Sequence, residues 1–344
     1  MNYISSRDGR KRNNNEPYEI SKDDINYMLH QNEMDKQECF QVTESTYRGE
    51  NQIYQRSVSS LYRSIELMNE EERRIYQFIN KMRLKEFEKL ICRFDITQFW
   101  INNNITVLYE PLAQHYGMET TWLDITSDLE VALFFATCKW NQKDKRWYPL
   151  TKKDTEQNEK TKYGVIFHVP SWQINASIYS QELIENMNVI LPIGYQPFMR
   201  CHSQHAYGIN MNKPRPLQND YMFEKLHFRH DEKFSQMIYE KMGQGRNVYP
   251  REGLDNFACI IDELRRINTF SREVYEEVLS TGEYYSTDED AKKALGDSIV
   301  IAEKSPVHIP RQWVRRLNRQ YKGFSFEKTF GIKLITRKVM YPKP

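Results

Sequence analysis

The sequence has few cysteines, and none is placed for shared chemistry. Cys39, Cys92, Cys138, Cys201 and Cys259 are five in number and far apart. An odd, scattered set argues against a disulfide framework, and the missing CxxC pair argues against the usual zinc site. A reducing, cytoplasmic setting is the expectation that follows. Long apolar runs are missing too. VALFFATC at 131–138 is the most apolar stretch, well short of the roughly 18 residues that cross a bilayer. It reads as a buried helix, and no membrane partner is expected. The opening residues MNYISSRDGRKRNNNEPYE hold no apolar signal-peptide core, and residues 1–20 read as a disordered polar arm. No Walker loop, GxSxG elbow or HExxH pair occurs. GQG at 243–245 follows a helical pattern rather than a strand, so it marks a helix stop.

What is present describes a folded chain. Its 344 residues are 39% hydrophobic and include 22 tyrosines and 17 phenylalanines, more than a disordered chain carries. Charge is balanced overall at +2 but unevenly placed. Residues 305–344 hold Arg311, Arg315, Arg316, Arg319, Lys322, Lys328, Lys333, Arg337, Lys338 and Lys343 against one acid, Glu327. Such asymmetry fits an acidic partner such as nucleic acid, or a segment docked on the protein's own acidic surface.

Hydrophobic spacing predicts a strand near 39–48, helices over 57–92 and 105–116, and a helix at 129–139 capped by Asp128. METTWLDITSD between the last two reads as a polar loop, and 141–162 as a solvated one. YGVIFHVP reads as a central strand closed by proline, followed by strands at 188–193, 196–209 and 223–228. Helices near 230–242 and 252–267 complete a domain spanning 21–268. Residues 269–344 form an extension with an acidic helical part and the basic tail. This order predicts an α+β fold, a mixed and mainly antiparallel sheet with a helical N-terminal block.

Three polar clusters stand out. In TYRGENQIY, Arg48 ends a strand beside Gly49 and offers a planar fork suited to phosphate or carboxylate, or to a surface pairing with Glu50. In QHYGMETTWLDIT, Gln114, His115 and Tyr116 close a helix. Thr121, Asp124 and Thr126 follow, either pinning the loop or lining a pocket. In RCHSQH, Arg200, His202 and Gln204 share one face of the expected strand. Cys201, His202 and His205 match no standard metal spacing.

Together these clusters resemble the FRG domain, a family named for its Phe/Tyr-Arg-Gly motif. YRGENQIYQRSVSSLYR is similar to its opening, QHYGMETTWLDITSDLEVALFFA to its central signature, and Arg200 and Gln204 to its Arg-x-x-x-Gln. KMGQGRNVYPREGLDNFA resembles its close, so the likeness runs over about 38–265. This chain departs from the pattern at Thr121 (family Arg), Ile125 (Trp), and Glu119 and Leu129 (Pro). The resemblance implies a fold remotely similar to ADP-ribosyltransferases. It further implies an NAD-dependent transferase modifying nucleic acid or protein, in a toxin or phage-defence role with an antitoxin-like partner. An NAD glycohydrolase or a noncatalytic binding module are the alternatives. Under that likeness Arg48 holds the NAD phosphates or ribose, and Tyr116 or His115 shapes the nicotinamide pocket. Asp124 and Thr126 support them, and Gln204 or Glu50 steers the ribose. Arg48, His115 and Gln204 are then the catalytic expectation. Tyr47, Gly49, Gln114, Thr121 and Arg200 complete the cofactor-binding set.

Overall fold

The structure, a computed structural model, describes residues 18–37, 45–170, 189–211, 213–251 and 253–331. The arm expected at 1–20 lies outside these residues up to Pro17, as do the first residues of the strand expected at 39–48 and the last thirteen of the basic tail. The chain forms two compact units. One gathers Met1–Arg63, Thr121–Gly194 and Ser203–Pro250; the other gathers Ser64–Thr120, Tyr195–His202 and Arg251–Pro344.

The first unit is built on a seven-stranded sheet. Its strands are β1 (Tyr18–Glu19), β2 (Thr46–Glu50), β3 (Trp122–Thr126), β6 (Tyr163–Val169), β7 (Val189–Pro192), β8 (Ala206–Asn210) and β9 (Glu224–Arg229). They lie in the order β1-β9-β6-β2-β3-β8-β7. β1 runs parallel to β9 and every other pair is antiparallel. The α+β class and the mixed, mainly antiparallel sheet are therefore as expected. Side chains alternate across the pleat and feed two cores. Val165, Phe167 and Val169 on β6 join Leu123 and Ile125 on one face. Ile166 and Tyr47 join Leu226 and Phe228 on the other, under the helix Leu129–Thr137.

That helix begins where Asp128 accepts a hydrogen bond from the Glu130 N–H at 2.8 Å, the expected cap. β6 is the expected central strand. Two expectations fail here. WLDIT is no loop but β3, a central strand whose leucine and isoleucine face the core. The stretch 141–162 is not wholly a loop either. β4 (Cys138–Asn141) and β5 (Arg146–Pro149) form a hairpin, and Trp147 stacks on Tyr249 with centroids 5.5 Å apart.

In the second unit the helix Glu70–Ile91 starts at a capping box. The Glu72 N–H donates to Asn69 Oδ1 and the Asn69 N–H donates to Glu72 Oε2, both at 2.9 Å. That box divides the helix expected over 57–92 into Ser60–Ser64 and Glu70–Ile91. Phe78, Met82, Phe270, Val274, Tyr275 and Val278 form its core. A parallel pair, β10 (Thr269–Ser271) and β11 (Val300–Ala302), lies in the expected extension, on either side of its acidic helical part. The helix Tyr109–His115 stops at Gly117, which adopts φ +85° as a helix-ending glycine does.

Among the described residues no helix is long and apolar enough to cross a membrane.

Candidate functional site

On β2 the pleat sends Arg48 and Glu50 to one face, and Tyr47 and Gly49 to the other. Arg48 is held on two sides. Its Nε donates to Glu50 Oε1 at 3.0 Å and its Nη1 to the Asp124 carbonyl at 2.7 Å. Nη2 donates to nothing among the described residues, and 20% of the side chain reaches solvent. Glu50 is 5% exposed. Its second oxygen accepts from Ser57 Oγ at 2.7 Å, and Ser57 Oγ accepts in turn from Gln218 Nε2 at 2.7 Å. Gln218 Oε1 also takes the Ser57 N–H, at 2.9 Å. Burial, and then the Glu50 carboxylate, push the neighbouring Tyr54 phenol above its usual pKa, against Arg48 and Arg63. The result is a guanidinium fixed in orientation beside a desolvated carboxylate, with one amino group turned free.

The opposite face is packed. A Cβ on Gly49 would overlap the backbone of Ala132, so the helix Leu129–Thr137 occupies the space its missing side chain leaves. Gly49 is a glycine for helix packing, and that side of it offers a ligand no surface. Tyr47 is 5% exposed and stacks on His168 at 4.9 Å, while His168 Nδ1 lies 2.8 Å from Glu224 Oε2. Thr126 faces Tyr47 across the β2–β3 pair. Its hydroxyl donates to the Gln204 carbonyl at 2.7 Å and accepts from the Asp128 N–H at 2.9 Å. Gln204 Nε2 donates to the Val248 carbonyl at 3.2 Å. Thr121 donates to Asn210 Oδ1 at 3.0 Å. The Asp124 carbonyl, on the strand edge, is the part of that residue meeting Arg48.

Arg200 and Gln204 do not share a strand face. Arg200–Ser203 is one helical turn, and His205 after it takes φ +44°, so the backbone reverses before β8. The two residues belong to different units.

In the second unit Arg200 gathers the remaining expected residues. Its Nη1 donates to the His115 carbonyl at 2.6 Å, its Nη2 pairs with Asp255, and its guanidinium lies 4.3 Å over the Tyr116 ring. His115 and Tyr116 are 6% and 8% exposed. Gln114 Oε1 accepts from the Thr120 hydroxyl at 2.8 Å. This is a carbonyl-capping arginine of the kind that anchors a helix C-terminus. The expected site residues thus form two groups. Tyr47, Arg48, Gly49, Thr121, Asp124, Thr126 and Gln204 lie in one unit. Gln114, His115, Tyr116 and Arg200 lie in the other.

Residues 43–145 match the family model of the FRG domain. The FRG segment runs from the approach to β2 into the β4–β5 turn. It therefore covers Arg48-Gly49, the 114–126 cluster and the helix over Gly49. Arg200, Gln204 and Asp255 lie beyond it. No curated protein and no solved structure gives a significant match. Within the FRG segment, Arg48 and Glu50 are the two charged side chains that meet on one sheet face. Sequence spacing does not single out Ser57, Tyr54 or Gln218. Ser57 lies close by in sequence, but Gln218 reaches it across 161 residues, and no local pattern records that. The His168–Glu224 pair was equally invisible, since it depends on the β6–β9 register.

Proposed function

We propose that this chain is an ADP-ribosyltransferase-like enzyme that consumes NAD at Arg48 and Glu50. The observation that supports it is the Arg48 guanidinium, oriented by Glu50 and Asp124 while its Nη2 stays open. That donor suits an oxygen of the NAD diphosphate, because a guanidinium N–H makes a charge-assisted hydrogen bond to phosphate. NAD enters as substrate. When the nicotinamide–ribose C–N bond breaks, nicotinamide leaves with the bonding pair and the ribose carbon becomes oxocarbenium-like. A desolvated carboxylate beside it, Glu50, stabilises that charge until an acceptor oxygen or nitrogen attacks and releases its proton. Nucleic acid and protein are the candidate acceptor classes.

The fit is partial in the rest of the expected set. Tyr47 and Gly49 face away from Arg48, and Arg200 is engaged by His115, Asp255 and Tyr116. That engagement favours a second reading, a noncatalytic ligand- or partner-binding module whose polar motifs hold its loops.

Incubating the protein with labelled NAD and RNA, DNA or cell lysate separates the two. The enzyme reading expects label transfer and nicotinamide release. Both should fall about a hundredfold or more in Glu50→Gln, the scale of losing one transition-state charge partner. Absence of turnover with every acceptor overturns it and leaves the binding module.

A further inference from the structure

We propose that the helix Arg311–Gln320 and its continuation to Lys322 form a surface that binds the phosphate backbone of nucleic acid. Arg311, Arg315 and Arg319 recur every four residues, which places them on one side of a helix, with Arg316 adjacent and Lys322 three residues beyond Arg319. All five side chains are exposed. None forms an ion pair with any described residue. A basic segment docked on its own protein's acids would show such pairs.

The helix is fixed from its other side. Leu317 is 1% exposed and Trp313 packs on Phe257 at 5.7 Å. Asn318 Oδ1 accepts the Asp95 N–H at 3.2 Å, and the Ile309 carbonyl just before the helix accepts from Arg93 at 3.3 Å. The arginines are therefore presented on an anchored element. The outward side offers only arginine and glutamine, Gln312 and Gln320 being exposed as well. A membrane-surface helix needs an outward apolar face to insert, and this helix turns its apolar side inward. Arginine forks suit phosphate oxygens, which carry no sequence information. Trp313 and Tyr321 are half-buried, so no exposed ring on the helix stacks bases, and readout is of the backbone. The inference does not rest on NAD chemistry, and Arg48→Ala is expected to bind nucleic acid as the parent does.

The test is fluorescence anisotropy of the full chain with labelled 20-base-pair DNA duplexes of unrelated sequence, from 50 to 300 mM KCl. Binding should be sequence-independent. Its log–log salt slope should be about −4, the value for four or five phosphates neutralised at −0.9 each. R311Q/R315Q/R319Q should make the slope shallower by about 3, while R311K/R315K/R319K keeps it. The exposed pair K152Q/K153Q serves as a charge control and should change nothing. No duplex binding at 50 mM KCl overturns the proposal. So does an unchanged slope in the glutamine variant, or stripe-dependent binding to phosphatidylserine vesicles without duplex binding. If the glutamine variant fails to fold, the slope of the lysine variant against the parent decides. A slope shallower than about −2 in both refutes the proposal.

Discussion

The Ala132 backbone lies directly over Gly49, so the central strand and the helix Leu129–Thr137 approach as closely as a missing Cβ allows. Overpacking by one methyl usually costs about 1–3 kcal/mol, and backbone atoms cannot rotate aside as a side chain does. Gly49→Ala is therefore expected to lose about 3 kcal/mol or more, read from urea unfolding. A loss under 1 kcal/mol would show that the helix can shift freely.

Arg48 works through its shape as well as its charge. Lysine keeps the positive charge but carries its three donors on one nitrogen, so it cannot set separate nitrogens against Glu50, the Asp124 carbonyl and a ligand as the planar guanidinium does. Arg48→Lys should stay folded yet weaken NAD binding about tenfold by calorimetry. Binding within twofold of the parent would remove the guanidinium fork from the site.

Arg200 and Asp255 form a part-buried pair, with side chains 12% and 24% exposed. Removing one partner strands the other, and Arg200 also holds the His115 carbonyl. Arg200→Ala should destabilise by about 3 kcal/mol, and a double-mutant cycle with Asp255→Ala should give a coupling of about 1–3 kcal/mol. NAD turnover per folded molecule should not change. A folded Arg200→Ala protein with lost turnover would return Arg200 to the active site.

Acid should weaken the first unit before its carboxylates titrate. Burial holds His227 below the usual histidine pKa, opposed by Glu19. Burial does the same to His230, opposed by its hydrogen bonds to the Asn51 and Tyr163 backbone. The unfolded chain then binds these protons first. Their contribution is complete above the unfolded value of about 6.5 and is lost as pH falls from there toward the folded values. The slope should reach at most about 1.4 kcal/mol per pH unit for each histidine. Denaturation midpoints between pH 7.5 and 5 should fall in the parent, and less steeply in His230→Gln. A flat profile in the parent would contradict the assignment.

Punctuation and strong apolar runs were legible in the chain itself. Gly117 and GQG at 243–245 end helices. Asp128 caps one helix, and YGVIFHV is a central strand. Each reading rests on local chemistry, a positive φ, an orphan N–H or an unbroken apolar run, that does not depend on distant partners. WLDIT reads as a loop in the sequence because Asp124 and Thr126 interrupt its apolar signal, yet it forms β3. Strand preference is decided by neighbours on both sides, here β2 and β8, which sequence spacing does not reveal. The 196–209 stretch reads as one strand but is broken where Phe198 and His205 take positive φ without being glycine.

The same division runs through the site. In the chain itself Arg48, Gly49, Gln114–Thr126, Arg200 and Gln204 are legible as motifs that resemble those of one family, and the matched segment 43–145 covers all of them except Arg200 and Gln204. What each of them touches follows from the fold. The pleat of β2 turns Arg48 and Glu50 to one face and gives Gly49 to helix packing on the other. The chain's return at Asp255 engages Arg200. A two-residue period in a strand is local, and so is the Arg48–Glu50 pairing it allows, but the helix that meets Gly49 and the carboxylate that meets Arg200 come from dozens of positions away.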